Sequence, residues 1–124
     1  MLDESLKNYI ETSILPLYDD FDAAHQRNHV DMVIELSMAI AQNLNVNEDM
    51  VYVIAAYHDT GLAVDRKTHH LVSGKIVRED AWLPDWFTAG EIEISHRLVR
   101  IIEHLPTMSR EVFMAKSLRR PTAS

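Results

Sequence analysis

The sequence predicts an all-α fold, a compact bundle of about five helices. Apolar residues recur at helical spacing in several separate stretches, and asparagine, aspartate, glycine or proline lies between these stretches. There is no convincing strand pattern and no internal repeat. With 124 residues, the chain is long enough for one domain that buries about two-thirds of the surface that its unfolded form exposes.

The first two predicted helices lie on either side of Pro16. Apolar residues at every fourth position predict an opening amphipathic helix: Leu2, Leu6, Ile10 and Ile14. Pro16 is expected to end this helix, because proline lacks an N–H and disfavours a helical residue before it. Residues 19–22 then supply a turn and an N-cap candidate. A second helix is expected over about 23–43, where the asparagine-rich segment 43–47 interrupts it.

A third helix is expected to begin after Asn47. The side chain of Asn47 can cap it, and Glu48 and Asp49 suit the positive end of its dipole. The apolar face of this helix ends at His58. Gly61 fits the residue that follows a helix C-terminus.

Shorter elements follow. Residues 62–68 are expected to form a loop and 71–80 a short helix, and the aromatic connector 82–87 is expected to pack over the bundle. Thr88 and Glu91 have the spacing of a capping box, which opens a last helix.

The last helix is expected to run to about Glu103, because Pro106 follows it. The tail to Ser124 is basic and has only weak helical periodicity.

Composition excludes several classes of partner. The net charge of −7 argues against nucleic acid or an anionic membrane, since an acidic surface gains no attraction from either. The chain has no cysteine, which excludes thiol chemistry and fits a reducing compartment. The N-terminus is unlike a signal peptide, and no stretch has the apolar length of a membrane span. We therefore expect a cytoplasmic protein.

Seven histidines stand out in this composition: His25, His29, His58, His69, His70, His96 and His104. His25 and His29 lie one helical turn apart, and His58 is followed directly by Asp59. Histidine and aspartate without cysteine suit hard or borderline divalent metals. A single histidine on an apolar stripe is more often a hydrogen-bonded core or surface residue, so the pattern leaves both a metal site and incidental histidines open.

Three motifs at these positions resemble one family. They are His29-Val30-x-x-Val33, the run AAYHDTGL at residues 55–62, and His69-His70-x-x-x-Gly74. Together they resemble the HD-domain metal-dependent phosphohydrolases, and more narrowly small bacterial members that carry AAYHDTGL. The resemblance covers about residues 14–95.

The resemblance implies a helical bundle that holds a divalent metal ion, with Mn, Fe, Ni, Co, Zn and Mg all open. The matching metal ligands are His29, His58 and Asp59, and a later aspartate completes the family's set. His70 resembles the extra histidine of two-metal relatives, and His69 is the alternative if the register differs by one residue.

The implied reaction is hydrolysis of a small phosphorylated substrate, often a nucleotide, by a metal-activated water. Asp59 is the first catalytic candidate. His25 and Arg27 are close enough in sequence to contact phosphate or relay a proton, although a solvated helix face explains them as well. Lys67 is a weaker candidate for a phosphate contact.

The chain departs from the family near its C-terminus, because no aspartate follows Asp85. Residues 107–122 can be back-translated into codons that, with one base restored, read NHEPRSIYGKIVAEAD in the neighbouring frame. The same exercise from Arg100 gives EDHRASS. Both strings are similar to the family's closing motifs. We hypothesise that one base was lost near codons 97 and 98, which leaves a core domain over 1–97 and an out-of-frame tail over 98–124.

The frame hypothesis implies a site without its last carboxylate, since neither Glu103 nor His104 can be assumed to replace it. Weaker metal binding, impaired activity and self-association through exposed core surface would follow. Two alternatives to an active phosphohydrolase are a degenerate, non-catalytic HD-like binding or interaction domain and a plain helical bundle with incidental histidines.

Overall fold

Five α-helices, joined in part by shorter helical turns, make up the described part of the chain. The computed structural model describes residues 2–20, 27–42, 47–63 and 67–102, and these contain no strand. The helices are α1 (Glu4–Tyr9), α2 (Arg27–Gln42), α3 (Glu48–Tyr57), α4 (His69–Glu79) and α5 (Ala89–Ile102). The predicted all-α class is confirmed. None of these helices combines the length and the apolar character that crossing a membrane would require.

The first predicted helix keeps its buried stripe but does not end where Pro16 was expected to end it. Leu6, Ile10 and Ile14 are buried, yet α1 gives way at residue 10 to a π-helical turn, Ile10–Ile14, and then to the 3₁₀ helix Leu15–Asp20. Pro16 is the second residue of this 3₁₀ helix. Proline is tolerated in the first turn of a helical segment, where its missing N–H has no partner to lose.

Helix α3 is the centre of the bundle. Its residues from Met50 to Tyr57 are all buried, and it packs against α2, α4 and α5. The predicted N-cap is confirmed, since the Asn47 side chain accepts a hydrogen bond from the Met50 N–H at 3.2 Å. The Asn47 amide also donates to Glu91 at 3.1 Å, which connects the start of α3 to the start of α5.

Helices α4 and α5 run antiparallel. The Arg78 guanidinium binds the Glu93 carboxylate at 2.7 Å, and four residues earlier on α4 the Gly74 carbonyl accepts from the His96 ring at 2.6 Å. The C-terminal end of α5 therefore lies beside the N-terminal end of α4. The capping box at the start of α5 is confirmed by its two reciprocal hydrogen bonds, of 2.9 and 3.1 Å.

Gly61 does not terminate a helix in the way the sequence suggested. His58 is the C-cap of α3, and Gly61 lies inside the 3₁₀ turn Thr60–Ala63 without a positive φ. Its role is steric, because a Cβ at this position would lie 2.0 Å from the His69 carbonyl oxygen. Helix α4 begins at His69, two residues before its expected start.

The aromatic connector packs over one end of the bundle, as expected. Leu83 and Phe87 are buried, whereas Trp82 is 60% exposed. Tyr9 stacks on Trp86 with ring centroids 5.5 Å apart, and the Tyr9 hydroxyl donates to the Asp80 carboxylate at 2.8 Å.

Several expectations lie outside the described residues. They concern the cap before α2, the segment that ends α2, and the course of the chain after Ile102. The division of the chain at residues 97 and 98 also stays a prediction, although α5 passes through these positions without a break.

Candidate metal centre

Helices α2 and α3 bring the central predicted ligands together. His29 lies in the first turn of α2, and His58 and Asp59 follow the last turn of α3. The Asp59 Oδ2 atom is 3.1 Å from His58 Nε2 and 3.9 Å from His29 Nε2. One donor atom from each of the three residues lies within 4.8 Å of the other two.

The His58 ring is fixed by a backbone hydrogen bond. Its Nδ1 lies 2.6 Å from the carbonyl oxygen of Ala55. A carbonyl oxygen can only accept, so we assign the proton to Nδ1. This leaves Nε2 directed at Asp59, the arrangement in which a histidine ligand is oriented by a backbone carbonyl behind it.

The Asp59 carboxylate faces imidazoles from three helices. While Oδ2 faces His58 and His29, the second oxygen, Oδ1, lies 3.6 Å from Nε2 of His69 at the start of α4. The structure thus brings His69 to the site, the residue expected there in place of His70 if the motif is shifted by one position. The side chain of His70 lies outside the described part of the chain, so its predicted role as a ligand stays a prediction.

Tyr18 positions Asp59, and the sequence interpretation missed it. Tyr18 is fully buried, and its hydroxyl donates to the Ala56 carbonyl at 2.7 Å while accepting from the Asp59 N–H at 3.2 Å. A buried tyrosine hydroxyl needs a polar partner. That requirement was a signal in the sequence, but nothing there identified the partner.

Two hydrogen bonds fix the segment that follows α3, and one of them connects it to α4. The buried Ser73 hydroxyl accepts from the Gly61 N–H at 2.7 Å, and the Thr60 hydroxyl donates to the Tyr57 carbonyl at 2.7 Å. Because Gly61 has no side chain, the first turn of α4 approaches the 3₁₀ turn closely enough for His69 to reach Asp59.

The site is closed at the back and open at the front. The side chains of His58 and Asp59 are 2% and 3% exposed, whereas those of His29 and His69 are 26% and 21% exposed. A small molecule can therefore approach from the side of His29 and His69 without displacing the buried pair.

The residues present fit a divalent metal ion. Ions bound by imidazole and carboxylate have ligand distances of about 2.0–2.2 Å, so two donors on one ion lie roughly 3–4 Å apart. The distances from Asp59 Oδ2 to His58 and His29 fall within this range. A buried carboxylate among imidazoles also matches the donor preference of borderline first-row metals.

The structure does not bring Arg27, another catalytic candidate, to this cluster. Arg27 pairs with Asp31 on α2, with Nε 3.4 Å from Oδ1, and lies two positions before His29, which is about 200° around the helix. His25 lies outside the described residues, and Lys67 is exposed in the segment before α4. His96 is buried between α4 and α5, where it binds the Gly74 carbonyl.

The comparison with protein families gives a match over most of the chain. A family model described as HD domain matches residues 27–119, which is most of the chain and includes the cluster formed by His29, His58 and Asp59. The matched span also crosses residue 98, and the frame hypothesis stays a prediction. No curated protein and no solved structure gives a significant match. The predicted resemblance is confirmed, and the chain belongs to the HD domain family.

Proposed function

We propose that this chain is a metal-dependent phosphohydrolase that acts on a small phosphorylated or nucleotide substrate. One observation carries the proposal: the carboxylate of Asp59 is buried among the Nε2 atoms of His58, His29 and His69. Burying a carboxylate is unfavourable unless charges or hydrogen bonds compensate for it, and a divalent ion would supply that compensation. Membership of the HD domain family supports the same class of reaction.

The proposed roles follow from how deeply each side chain is buried. His58 and Asp59 hold the ion at the closed back of the site, and His29 supplies a third ligand. When bound, a divalent ion polarises a phosphoryl oxygen and lowers the pKa of water. The second oxygen of Asp59, Oδ1, is the atom we assign to accept the proton of the attacking water.

His69, at the partly exposed front of the site, is proposed to contact the substrate beside the metal ligand His29. The side chain of His69 is 21% exposed at this opening, where a phosphate group would otherwise meet an acidic protein of net charge −7. Local donors and a metal ion are needed to reverse that repulsion. His70, the neighbour of His69, is the other candidate for this role.

The test combines metal analysis with two generic substrates. The purified chain is loaded with each divalent ion in turn, dialysed and measured for bound metal, and it is then assayed with 4-nitrophenyl phosphate and bis(4-nitrophenyl) phosphate. The double variant His58→Ala, Asp59→Ala should lose the bound metal and the turnover together. The matched control is Glu35→Gln, an exposed carboxylate of α2, which should keep both.

A second candidate function is a non-catalytic HD domain that binds metal or a partner. It is favoured by one observation, that no aspartate follows Asp85 to complete the family's ligand set. Stoichiometric metal that is lost in the double variant, without hydrolysis of either ester, would select this function. Failure to retain any divalent ion would overturn the phosphohydrolase and the metal-binding form of the second candidate, and would favour a helical bundle with incidental histidines.

The frame hypothesis makes a further comparison decisive. A version of the gene with the base restored near codons 97 and 98 should bind metal more tightly and hydrolyse the esters faster than the present chain. Resequencing this region checks the cause directly. An intact frame that encodes the same tail in close relatives would refute it.

A further inference from the structure

A pocket lies outside the metal centre, where α1 meets the aromatic connector. It has a volume of about 330 Å³, and its lining residues are Ser5, Asn8, Tyr9, Thr12, Ser13, Trp82, Asp85 and Trp86. This volume is at the lower end of the range for small-molecule sites. None of the lining residues belongs to the metal cluster.

Three aromatic rings form one wall of this pocket. The ring of Tyr9 contacts both indoles, with its centroid 5.5 Å from that of Trp86 and 6.2 Å from that of Trp82. Trp82 is 60% exposed, an unusual exposure for the largest apolar side chain. Aromatic faces carry negative charge density, so a wall of this kind attracts cations.

Hydrogen bonds hold the rings in place before any ligand arrives. The Trp86 indole N–H donates to the Ser5 hydroxyl at 2.8 Å, and the Tyr9 hydroxyl donates to Asp80 at 2.8 Å. Asp80 also accepts the Trp82 backbone N–H at 2.9 Å. A wall that is already fixed loses little conformational freedom on binding.

The charge of the pocket favours a ligand with a positive charge. Asp85 is its single charged lining residue, and neither lysine nor arginine lines it. The Asp85 carboxylate is exposed, so it can face a ligand held against the rings. An anion would be repelled here, whereas a cation with an apolar surface matches both the carboxylate and the rings.

We propose that this pocket binds an alkylammonium group, with methylated nitrogen against the rings of Trp82, Trp86 and Tyr9 and its charge balanced by Asp85. The remaining wall, of serine, threonine and asparagine side chains, offers polar contacts to the substituents of the ammonium group. The ligand is either a free quaternary amine or a methylated lysine side chain of another protein, since both present the same chemistry. The proposal does not depend on the metal centre.

The chain carries its own reporter for this site. Its only two tryptophans are Trp82 and Trp86, so tryptophan fluorescence of the full chain reports on this pocket alone. Choline and N-acetyl-trimethyllysine amide are the two probes, and each is titrated at constant ionic strength maintained with sodium chloride. The tighter probe identifies the source of the ligand. The neutral control is 3,3-dimethylbutanol, which has the shape of choline without its charge.

The proposal expects a saturable fluorescence change with at least one cationic probe and none with the neutral alcohol. Asp85→Asn keeps all three rings and should weaken binding by about two- to fivefold, in line with the loss of one favourable exposed charge contact. Asp19→Asn, an exposed carboxylate of the 3₁₀ helix Leu15–Asp20, should leave binding unchanged. Trp82→Phe should weaken it while Trp86 continues to report.

Three results would overturn the proposal. One is no saturable change with either cation, and another is an equal response to the neutral alcohol. The third is an Asp85→Asn affinity equal to that of the parent chain. All measurements are made without added metal, so the outcome is independent of phosphohydrolase activity.

Discussion

Replacing Gly61 by alanine should damage both the stability of the bundle and the metal centre. A Cβ at this position would lie 2.0 Å from the His69 carbonyl oxygen, 2.7 Å from the Ser73 nitrogen and 2.9 Å from the His69 carbonyl carbon. All three atoms belong to the backbone of α4, so no rotation of a side chain can relieve the contact. The start of α4 has to move away from the 3₁₀ turn.

The size of the stability loss follows from the distance by which the backbone of α4 has to move. Ordinary van der Waals contact begins near 3.4 Å, so the His69 carbonyl has to retreat by about 1.4 Å. Overpacking of this kind costs about 1–3 kcal/mol, and a rigid backbone obstacle places Gly61→Ala near the upper end. For a domain of this length, about 3 kcal/mol lowers the melting temperature by about 10 °C.

The same movement separates His69 from Asp59, which are 3.6 Å apart in the parent structure. The strained turn Thr60–Ala63 also directly follows Asp59, so the carboxylate should shift relative to His58 and His29. Metal affinity should therefore fall even at temperatures where the variant is fully folded. Urea unfolding followed by circular dichroism measures the first effect, and metal analysis of the folded variant at low temperature measures the second.

Gly90 provides the matched control. Its nearest neighbour for a new Cβ is the Thr88 hydroxyl oxygen at 3.9 Å, and it lies in the first turn of α5. Gly90→Ala should therefore stabilise the chain by about 0.5–1 kcal/mol, because alanine loses less backbone entropy in a helix. A Gly61→Ala variant as stable as the parent chain, with unchanged metal affinity, would refute the close approach of α4 to the 3₁₀ turn.

Three further variants test the cap, the support of Asp59 and the tyrosine network. Asn47→Ala should cost about 1 kcal/mol in urea unfolding, because α3 loses its cap. Tyr18→Phe should weaken metal binding by about 10–100-fold, measured by competition with a chelator, while the fold survives. Burial and the hydrogen bond to Asp80 raise the pKa of Tyr9 to about 12 and the pKa of Tyr57 well above its ordinary value. Because both are raised on folding, their contribution to stability is complete below about pH 10 and is lost as the pH rises towards 12 and beyond. Tyr57→Phe should flatten that alkaline decline in unfolding free energy, and an unchanged decline would contradict the network.

The sequence was sufficient for features that depend on local spacing. The stripe formed by Leu6, Ile10 and Ile14, the Asn47 cap and the capping box before α5 each depend on residues less than three helical turns apart. The convergence of His29 with His58 and Asp59 needed one further step, the expectation that neighbouring helices face each other.

The remaining features depend on contacts between distant segments. The expectation that Pro16 ends the first helix was wrong, because the π-helical turn before it leaves no signature in the sequence. Gly61 was interpreted as a helix stop. Its real constraint is the nearby backbone of α4, which the sequence alone does not reveal. Tyr18 was missed for the same reason, since its partners, including the Asp59 N–H, lie 38 and 41 residues away.

The antiparallel packing of α4 and α5 determines which part of the bundle is affected by changes to the chain after α5. Since α5 ends at Ile102 beside the beginning of α4, the last described peptide unit lies at the same end of the bundle as His69. A fusion, an insertion or a stop codon placed just after this residue would therefore act beside the candidate metal centre. Such a change would alter the surroundings of His69 and Asp59 before those of the opposite end of α4 and α5, where the aromatic connector lies.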